Sequence, residues 1–449
     1  MSTHHLAEPS NAGLATSGQA PDASFSAEQT ASVFRRAAAR IVPFLFLCYV
    51  INYIDRVNLS FAHLQLRTDL NMSEAAFGFG VGIFFVGYVL FEVPSNLLMR
   101  RIGARKTIGR IMILWGIASA AMMFVQSPMQ FYAARVVLGI AEAGFFPGII
   151  FYLSSWFPDQ LRARIISTFV LAIAVAGIIG GPVSGWILST TEGLHGMRGW
   201  QWLFLIEGIP AVLAGLFALG YLPDSPDHAR WLSPAERDAI KSELARHQVA
   251  SGVTRATHRF GDALRNPKVY ICTFGWFSLT WAGSILNYWA PGIIRQSGVS
   301  GAWHIGLLSA VPFIVGAVGM ILFSRHSDAT EERHFHFGGL AALSALGAIG
   351  LGLLHGNTAL AIACLAILAV GYLSCVAIFW TIPTGFLTGT AAAGAIALIS
   401  SVAQIGGLIA PSVIGWMATA THELSAGSYV AAAVLFCGAA AIISIRPRR

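Results

Sequence analysis

Long uninterrupted apolar segments constrain this chain more than any other feature. A helix needs about 20 mostly apolar residues to cross the hydrocarbon core of a bilayer. Twelve segments meet this requirement, at 41–62, 75–98, 106–126, 129–153, 165–189, 201–222, 269–293, 303–323, 336–355, 358–382, 392–418 and 426–445. Their length and continuity indicate helices rather than barrel strands. The predicted fold class is therefore an all-α integral membrane protein with twelve transmembrane helices.

Few charged residues separate these apolar segments. Of the 449 residues, 55% are hydrophobic and 11% are charged, whereas a soluble domain carries about 25% charged residues. The net charge of +7 comes mainly from Lys and Arg in the short loops, which is typical of membrane proteins and gives no reason to expect a nucleic-acid partner. The five cysteines all lie in apolar segments without metal-ligand spacing, so we expect no metal, no cofactor and no disulfide framework.

A polar gap at 223–268 divides the spans into two groups of six, which occupy 41–222 and 269–449. We expect the gap to be a cytoplasmic linker between an N-terminal and a C-terminal six-helix half. Within it, Ser233 and Glu236 have the spacing of a capping box, which predicts a short helix.

The basic residues predict the orientation of the chain. Residues 1–40 lack an apolar core and are expected to form a disordered cytoplasmic tail. Most of the 28 Lys and Arg residues lie in loops on the same side as this tail and the C-terminus, which predicts that both termini face the cytoplasm. Two of these loops, "NLLMRRIGARK" and "SRHSDATEER", occupy equivalent places in the two halves. Internal repeats of this kind are typical of secondary transporters.

Several motifs resemble those of one transporter family. They are "NYIDRVNLSFA" in the first span, "GYVLFEVPSNLLMRRIGARK" in the second, "ARVVLGIAEAGFFPG" in the fourth, "WFPDQLRARIISTF" at the start of the fifth and "GWQWLFLIEGIPAVL" in the sixth. Together with the twelve spans and the paired loops, they resemble the anion:cation symporter family of the major facilitator superfamily. The resemblance runs from about residue 40 to the C-terminus and is more specific in the N-terminal half. It implies the major facilitator fold.

The resemblance also implies a function. Such a protein imports an organic anion together with protons, by alternating access, across the bacterial inner membrane. The implied substrates are carboxylates such as tartrate, an aldonate or an aromatic acid, and we expect a monomer in the lipid bilayer. An electroneutral anion exchanger and a uniporter are alternatives. A membrane enzyme or a non-transporting receptor would need a catalytic cluster or a signalling domain, and the sequence contains neither.

The paired loops suggest one gating residue. In the family that the chain resembles, these loops lock the state that is closed towards the cytoplasm. The family pattern has an Asp where Arg100 stands in the first loop, whereas the second loop keeps an acid, Asp328. Asp328 is therefore the candidate for a gating contact.

Charged residues occur inside two of the predicted spans. Asp55 and Arg56 lie in the first span, and Arg135 and Glu142 lie in the fourth. Each charge at the bilayer centre costs at least ~2.5–3.5 kcal/mol, so such groups normally face a cavity or one another. A helix rises about 1.5 Å per residue, which places Arg56 and Arg135 at a similar depth. Glu142 follows Arg135 by two turns on the same helix face.

These four residues are the candidates for substrate binding and proton coupling. Arg56 and Arg135 are predicted to bind a substrate carboxylate, because a guanidinium group forms two parallel hydrogen bonds with it and stays charged. Asp55 and Glu142 are predicted to carry the coupling protons, since a low dielectric favours the neutral form of a carboxyl. The resemblance implies the same four roles. The alternative is that Asp55 pairs with Arg135, or Arg56 with Glu142, as purely structural salt bridges.

Other polar residues inside spans are further candidates for substrate binding. Tyr53 is three residues before Arg56 and shares its helix face, and Tyr88 lies in the middle of the second span. The family that the chain resembles has Tyr at both places. In the C-terminal half the polar candidates for one face of the cavity are Asn287, Trp380, Thr381, Ser401 and Gln404.

Overall fold

The helices of the N-terminal half follow the predicted spans closely. The structure is a computed structural model that describes residues 25–250, 265–354, 356–387 and 389–445, and no strand occurs among those residues. The helices of the first half and the linker are α1 Ala27–Asp69, α2 Glu74–Ile102, α3 Ala104–Ala121, α4 Pro128–Glu142, α5 Phe145–Ser154, α6 Asp159–Thr191, α7 Gly199–Tyr221 and α8 Pro234–Ala250.

The C-terminal half has the same number of spans, but more of them are divided. Its helices are α9 Pro267–Ser284, α10 Ala290–Gln296, α11 Ala302–Thr330, α12 His334–Leu353, α13 Thr358–Phe379, α14 Thr381–Thr384, α15 Gly389–Ala403, α16 Ile405–Thr421 and α17 Gly427–Ile443. Among the described residues, eleven helical segments are long and apolar enough to cross a membrane, and α17 is a shorter apolar helix. The prediction of an all-α membrane protein with twelve spans is confirmed.

Four spans contain interruptions that the apolar pattern did not predict, and the tenth is divided only near its end, at Trp380. The fourth span breaks between α4 and α5, where Gly144 has a φ of +86°. A side chain there would be strained and would also meet Ser95, because an added Cβ would lie 2.8 Å from its Cβ and Oγ. The seventh span contains a π-helical segment, Ile285–Trp289. Pro291, just beyond it, has no N–H to donate to a carbonyl of the preceding turn. The eleventh span is divided at Gln404.

Helix α1 begins at Ala27, inside the range 1–40 that we expected to be disordered; residues 1–24 of that range lie outside the described residues. Ser26 and Gln29 form a capping box at its start, and Phe34 is buried against Phe157 with ring centroids 6.3 Å apart. Arg36 on this extension forms an ion pair with Glu236. The extension is therefore ordered by packing on the rest of the protein, a contact that its Ala- and Ser-rich composition did not reveal.

The linker helix begins where the sequence predicted. The Ser233 backbone N–H donates to the Glu236 carboxylate at 2.9 Å, and the Glu236 N–H donates to the Ser233 hydroxyl at 3.3 Å. The Ser233 N–H that donates to the carboxylate lowers the pKa of Glu236 more than desolvation raises it. The capping box at the start of α8 is confirmed.

Glycines allow the two halves to touch along two helix pairs, α2 with α16 and α6 with α11. An added Cβ on Gly78 would lie 2.3 Å from the Pro411 carbonyl oxygen, and one on Gly181 would lie 2.8 Å from that of Gly306. Small residues at such crossings let backbones approach closely in membranes. We call the end of the bundle that holds the turn after α1 the outer end, following the predicted orientation. The Ala75 N–H donates to Thr419 Oγ1 at 2.8 Å at this end.

Replacing an interface glycine should destabilise the protein. In Gly78→Ala the new methyl group would overlap the Pro411 backbone, and overpacking of this kind costs about 1–3 kcal/mol. Gly220 is the matched control, because an added Cβ there meets nothing within 4 Å. Thermal melting of the purified proteins should show a lower melting temperature for Gly78→Ala and an equal or higher one for Gly220→Ala. Equal behaviour of the two variants would contradict the close packing.

Candidate substrate and proton site

An ion pair inside the membrane joins the first span to the fourth. Arg56 Nη2 lies 2.5 Å from Glu142 Oε1, and the two side chains are 18% and 2% exposed. Of the two structural pairs considered from the sequence, this is the one that the structure contains. Arg135 forms no ion pair with Asp55 within the described part of the chain. Arg56 therefore contacts a buried acid while part of its own side chain stays exposed.

The break after α4 explains why Glu142 can meet Arg56. Glu142 is the last residue of α4, and Gly144 turns the chain into α5. The last carbonyls of a helix carry a partial negative charge, which favours a nearby cation. Glu142 lies two helical turns from Arg135 and therefore at a different depth from the two arginines. The long Arg56 side chain spans this difference in depth. Both arginines thus act on one region between α1, α2 and α4.

One aromatic ring contacts both arginines. The Phe84 ring centroid lies 4.7 Å from Arg135 Cζ and 5.7 Å from Arg56 Cζ. Arg135 is almost fully buried, and its Nε donates to the Gly80 carbonyl oxygen at 3.3 Å. The π face of a ring attracts a desolvated cation, so Phe84 favours the presence of two like charges in one place.

Two tyrosines predicted from the sequence lie beside Arg56. Its Cζ is 5.4 Å from the Tyr53 ring centroid and 5.9 Å from that of Tyr88. With Phe84, they place three rings around one guanidinium group. Sequence reasoning missed Phe84, although its spacing of four residues from Tyr88 puts both on one face of α2.

Asp55 points away from Arg56, into the N-terminal half. Its carboxylate accepts hydrogen bonds from Trp115 Nε1 at 3.0 Å, from Asn58 Nδ2 at 3.2 Å and from the Ser119 hydroxyl. Three donors stabilise the charged form of a buried carboxyl. The sequence did not single out Trp115 or Ser119, because both lie on α3, whose contact with α1 cannot be read from an apolar pattern.

A second acid is buried nearby on α7. Ser184 donates to Glu207 Oε1 at 2.8 Å, and the Asn58 amide lies beside the same carboxyl. Glu207 Oε2 and Asn58 Oδ1 are both buried without a hydrogen-bond partner among the described residues. Asp55 and Glu207 therefore belong to one polar cluster inside the N-terminal half.

The C-terminal half reaches this region through the π-helical segment. Asn287 and Tyr288 are both buried there, and Tyr288 lies close enough to interact electrostatically with Arg56 and Arg135. π-helical turns inside α-helices are frequent at functional sites. Asn287 was a candidate from the sequence, whereas Tyr288 was not.

The other candidates of the C-terminal half make local contacts. Trp380 packs on Trp276 with ring centroids 5.0 Å apart, and the Thr381 hydroxyl donates to the Ile378 carbonyl oxygen at 2.6 Å. Ser401 and Gln404 are half-buried where the eleventh span is divided. Placement beside the arginines thus stays a prediction for these four residues.

Asp328 lies near the C-terminal end of α11, at the corner between α11 and α12. Its carboxylate is 69% exposed and lies 2.7 Å from Arg333 Nη1. Both partners lie at this one corner, so the pair gives no evidence of a contact that opens or closes the protein. The gating role of Asp328 therefore also stays a prediction.

Arginines, acids and aromatic rings gathered between membrane-crossing helices are typical of secondary transporters. Residues 45–411 match the family model described as Major Facilitator Superfamily. The chain belongs to this family, and the resemblance seen in the sequence is confirmed at that level.

Individual relatives are similar over most of their length. The chain is 42% identical over 409 residues to a putative tartrate transporter of Agrobacterium vitis, covering 91% of this chain and 93% of that one. It is 39% identical over 406 residues to a quinolone resistance transporter of Acinetobacter baumannii, covering 90% and 93%. The relatives are transporters, and the protein is not an enzyme.

A solved structure supports the fold. The partially occluded, inward-open xylose transporter XylE from E. coli superposes with a TM-score of 0.72 at 16% identity, covering 93% of this chain and 98% of that one. The major facilitator fold predicted from the sequence is confirmed.

The double contact of Phe84 makes a prediction about stability. Phe84→Leu removes the ring between one buried and one half-buried cation, and should cost about 2 kcal/mol more than a Phe→Leu change without cations. Phe145→Leu is the control, since Phe145 is equally buried but packs on Trp115 at 5.7 Å. Thermal melting should show the larger decrease for Phe84→Leu. Equal decreases, or no coupling with Arg135→Gln in a double-mutant cycle, would contradict the account.

Proposed function

We propose that this protein is a proton-coupled transporter that imports an organic anion by alternating access. The observation that carries the proposal is the buried Arg56–Glu142 pair, which lies beside a second arginine and three aromatic rings. Such a group of residues matches an anion with both charge and a carbon framework. Its location is the bacterial inner membrane, with both termini in the cytoplasm and one chain as the working unit.

Arg56 is the residue that connects substrate and proton. A substrate carboxylate that takes two parallel guanidinium hydrogen bonds, one of them from the Nη2 group that faces Glu142, competes with Glu142 for Arg56. An unpaired carboxylate in a low dielectric is costly, and a proton removes that cost. Binding of the anion therefore favours protonation of Glu142. Loss of the anion favours loss of the proton and re-formation of the ion pair.

Arg135, Asp55 and the tyrosines complete the site. Arg135 raises the positive potential and forms no ion pair among the described residues, so it retains charge for a second substrate group. Asp55, in a separate polar cluster, is the second proton carrier. Tyr53 and Tyr88 supply hydroxyl groups and ring faces, and Asn287, Trp380, Thr381, Ser401 and Gln404 are the corresponding candidates in the other half. These groups suit a carboxylate that also carries hydroxyl groups or an aromatic ring.

Export of an aromatic carboxylate is a second candidate function. It is favoured by the relative that is named a quinolone resistance transporter. Proteoliposomes with an imposed pH gradient distinguish the two, because import requires anion accumulation on the side to which protons flow, and proton-driven export requires accumulation on the opposite side.

The first functional prediction concerns the shape of the Arg56 group. Lys keeps the charge but cannot form the two parallel hydrogen bonds, so Arg56→Lys should lower uptake by about tenfold or more with an unchanged melting temperature. Arg36→Lys is the control, because Arg36 pairs with Glu236 outside the proposed site. Normal uptake by the Arg56→Lys protein would remove the carboxylate contact from the proposal. Arg135→Lys should have the milder effect.

The second functional prediction separates coupling from structure. Glu142→Gln imitates a permanently protonated acid, so exchange of labelled for unlabelled anion should persist while accumulation driven by a pH gradient is lost. If the ion pair were purely structural, breaking it would cost ~3–5 kcal/mol and both activities would fail with the fold. The measurement is exchange and gradient-driven uptake on the same folded sample. Retained pH-driven accumulation would leave Asp55 as the proton carrier.

A further inference from the structure

A cavity opens at the outer end of the bundle, separate from the site around Arg56. It has a volume of about 580 Å³ and is lined by both halves. The N-terminal half contributes the end of α1 and the start of α2, and the C-terminal half contributes α10 and the end of α16. The charged and titratable residues of its wall are His63, Arg67, Glu74, Arg295 and His422.

One carboxylate in the wall is held by basic groups. The Glu74 carboxylate lies 2.7 Å from His63 Nε2 and 3.0 Å from Arg67 Nε. The charge of Arg295, from the other half, also acts on it. Arg295 itself donates to the Leu64 carbonyl oxygen at 2.7 Å and makes no ion pair within the described ranges. The wall therefore carries more positive than negative charge.

His63 is a largely buried residue in the lining of this cavity. It is only 5% exposed, and its Nδ1 is buried without a hydrogen-bond partner among the described residues. This atom faces Gly292 in the wall, where an added Cβ would lie 3.5 Å away. The imidazole packs on Phe77 at 4.5 Å and Trp289 at 5.5 Å between ring centroids. Phe77 also stacks on Phe131 with ring centroids 6.0 Å apart, and Arg135 follows Phe131 by four residues on α4.

We propose that this outer cavity binds the carboxylate of a substrate before it reaches Arg56, and that Glu74 occupies the carboxylate position while the outer end is closed. The geometry around Glu74 is that of a carboxylate bound by a guanidinium and an imidazole group. Arg295 supplies positive charge that no acid of the described chain neutralises by an ion pair. A charged cleft of this kind concentrates oppositely charged molecules. The inference rests on the proposed import of an anion, but the binding step can be measured without transport.

Chemical modification of a cysteine in the wall tests the proposal. Ser73 lines the cavity and is exposed, so Ser73→Cys places a thiol there, in a Cys437→Ser background that removes the exposed native thiol. The probes are an anionic and a cationic methanethiosulfonate reagent applied to purified protein in proteoliposomes. The anionic reagent should react about tenfold faster, relative to its rate with a free small thiol. Arg295→Gln should reduce this preference.

Competition by tartrate decides whether the cavity binds carboxylates. Tartrate should slow the anionic reagent, and it should do so at lower concentration in Glu74→Gln, where the competing carboxylate is absent. The same protection should persist in an Arg56→Lys background, because it does not require the inner site. Equal reactivity with both reagents, no protection by tartrate, or protection that disappears with Arg56→Lys would overturn the proposal. Failure of proton-driven uptake alone would count against the proposed function and leave this readout intact.

Discussion

The ion pair between Arg56 and Glu142 is the interaction on which the rest of the structure depends. Two charges inside the membrane are tolerable only while each has a partner. If an anion takes the arginine, the acid needs a proton, and if the anion leaves, the pair can form again. Coupling of anion and proton then follows from electrostatics in a low dielectric, without a separate signalling device between distant sites.

Breaks in the helices give these charges their positions. Gly144 ends α4 directly after Glu142, and the π-helical segment brings Asn287 and Tyr288 from the other half. Interrupted helices at the level of the bilayer centre are typical of substrate sites in secondary transporters, because backbone groups freed there can face ligands or ions. The glycine contacts at Gly78 and Gly181 hold the two halves together at the outer end, which leaves the site between them.

Features that depend on the order of polar and apolar residues along the chain could be predicted from the sequence. The twelve spans, the capping box at Ser233 and the charged residues inside spans could be read because a polar group stands out against apolar neighbours. The placement of Tyr53 beside Arg56 followed from helical spacing, whereas Tyr88 was a candidate from its position in the middle of the second span and from the family resemblance. What could not be predicted depends on which side of a helix faces which neighbour.

A membrane helix is apolar on its lipid face and on its packed face, so the usual contrast between them is missing. Phe84 and Trp115 therefore looked like any other aromatic residue of a span, although one contacts two arginines and the other binds Asp55. The interruptions of the fourth, seventh and eleventh spans were hidden for a related reason, since glycine and proline are common in continuous membrane helices. The ordered start of α1 depends on a contact with Phe157 that is distant in sequence.

We propose that a bound anion displaces Glu142 from Arg56 and so draws a proton onto the protein. The most direct test is to measure proton uptake when the transported carboxylate binds to purified protein in weakly buffered detergent solution, using a pH-sensitive dye. We expect net proton uptake on binding to the wild-type protein, and loss of most of that uptake in Glu142→Gln. Binding without proton uptake, or the same uptake in Glu142→Gln as in the wild-type protein, would contradict it.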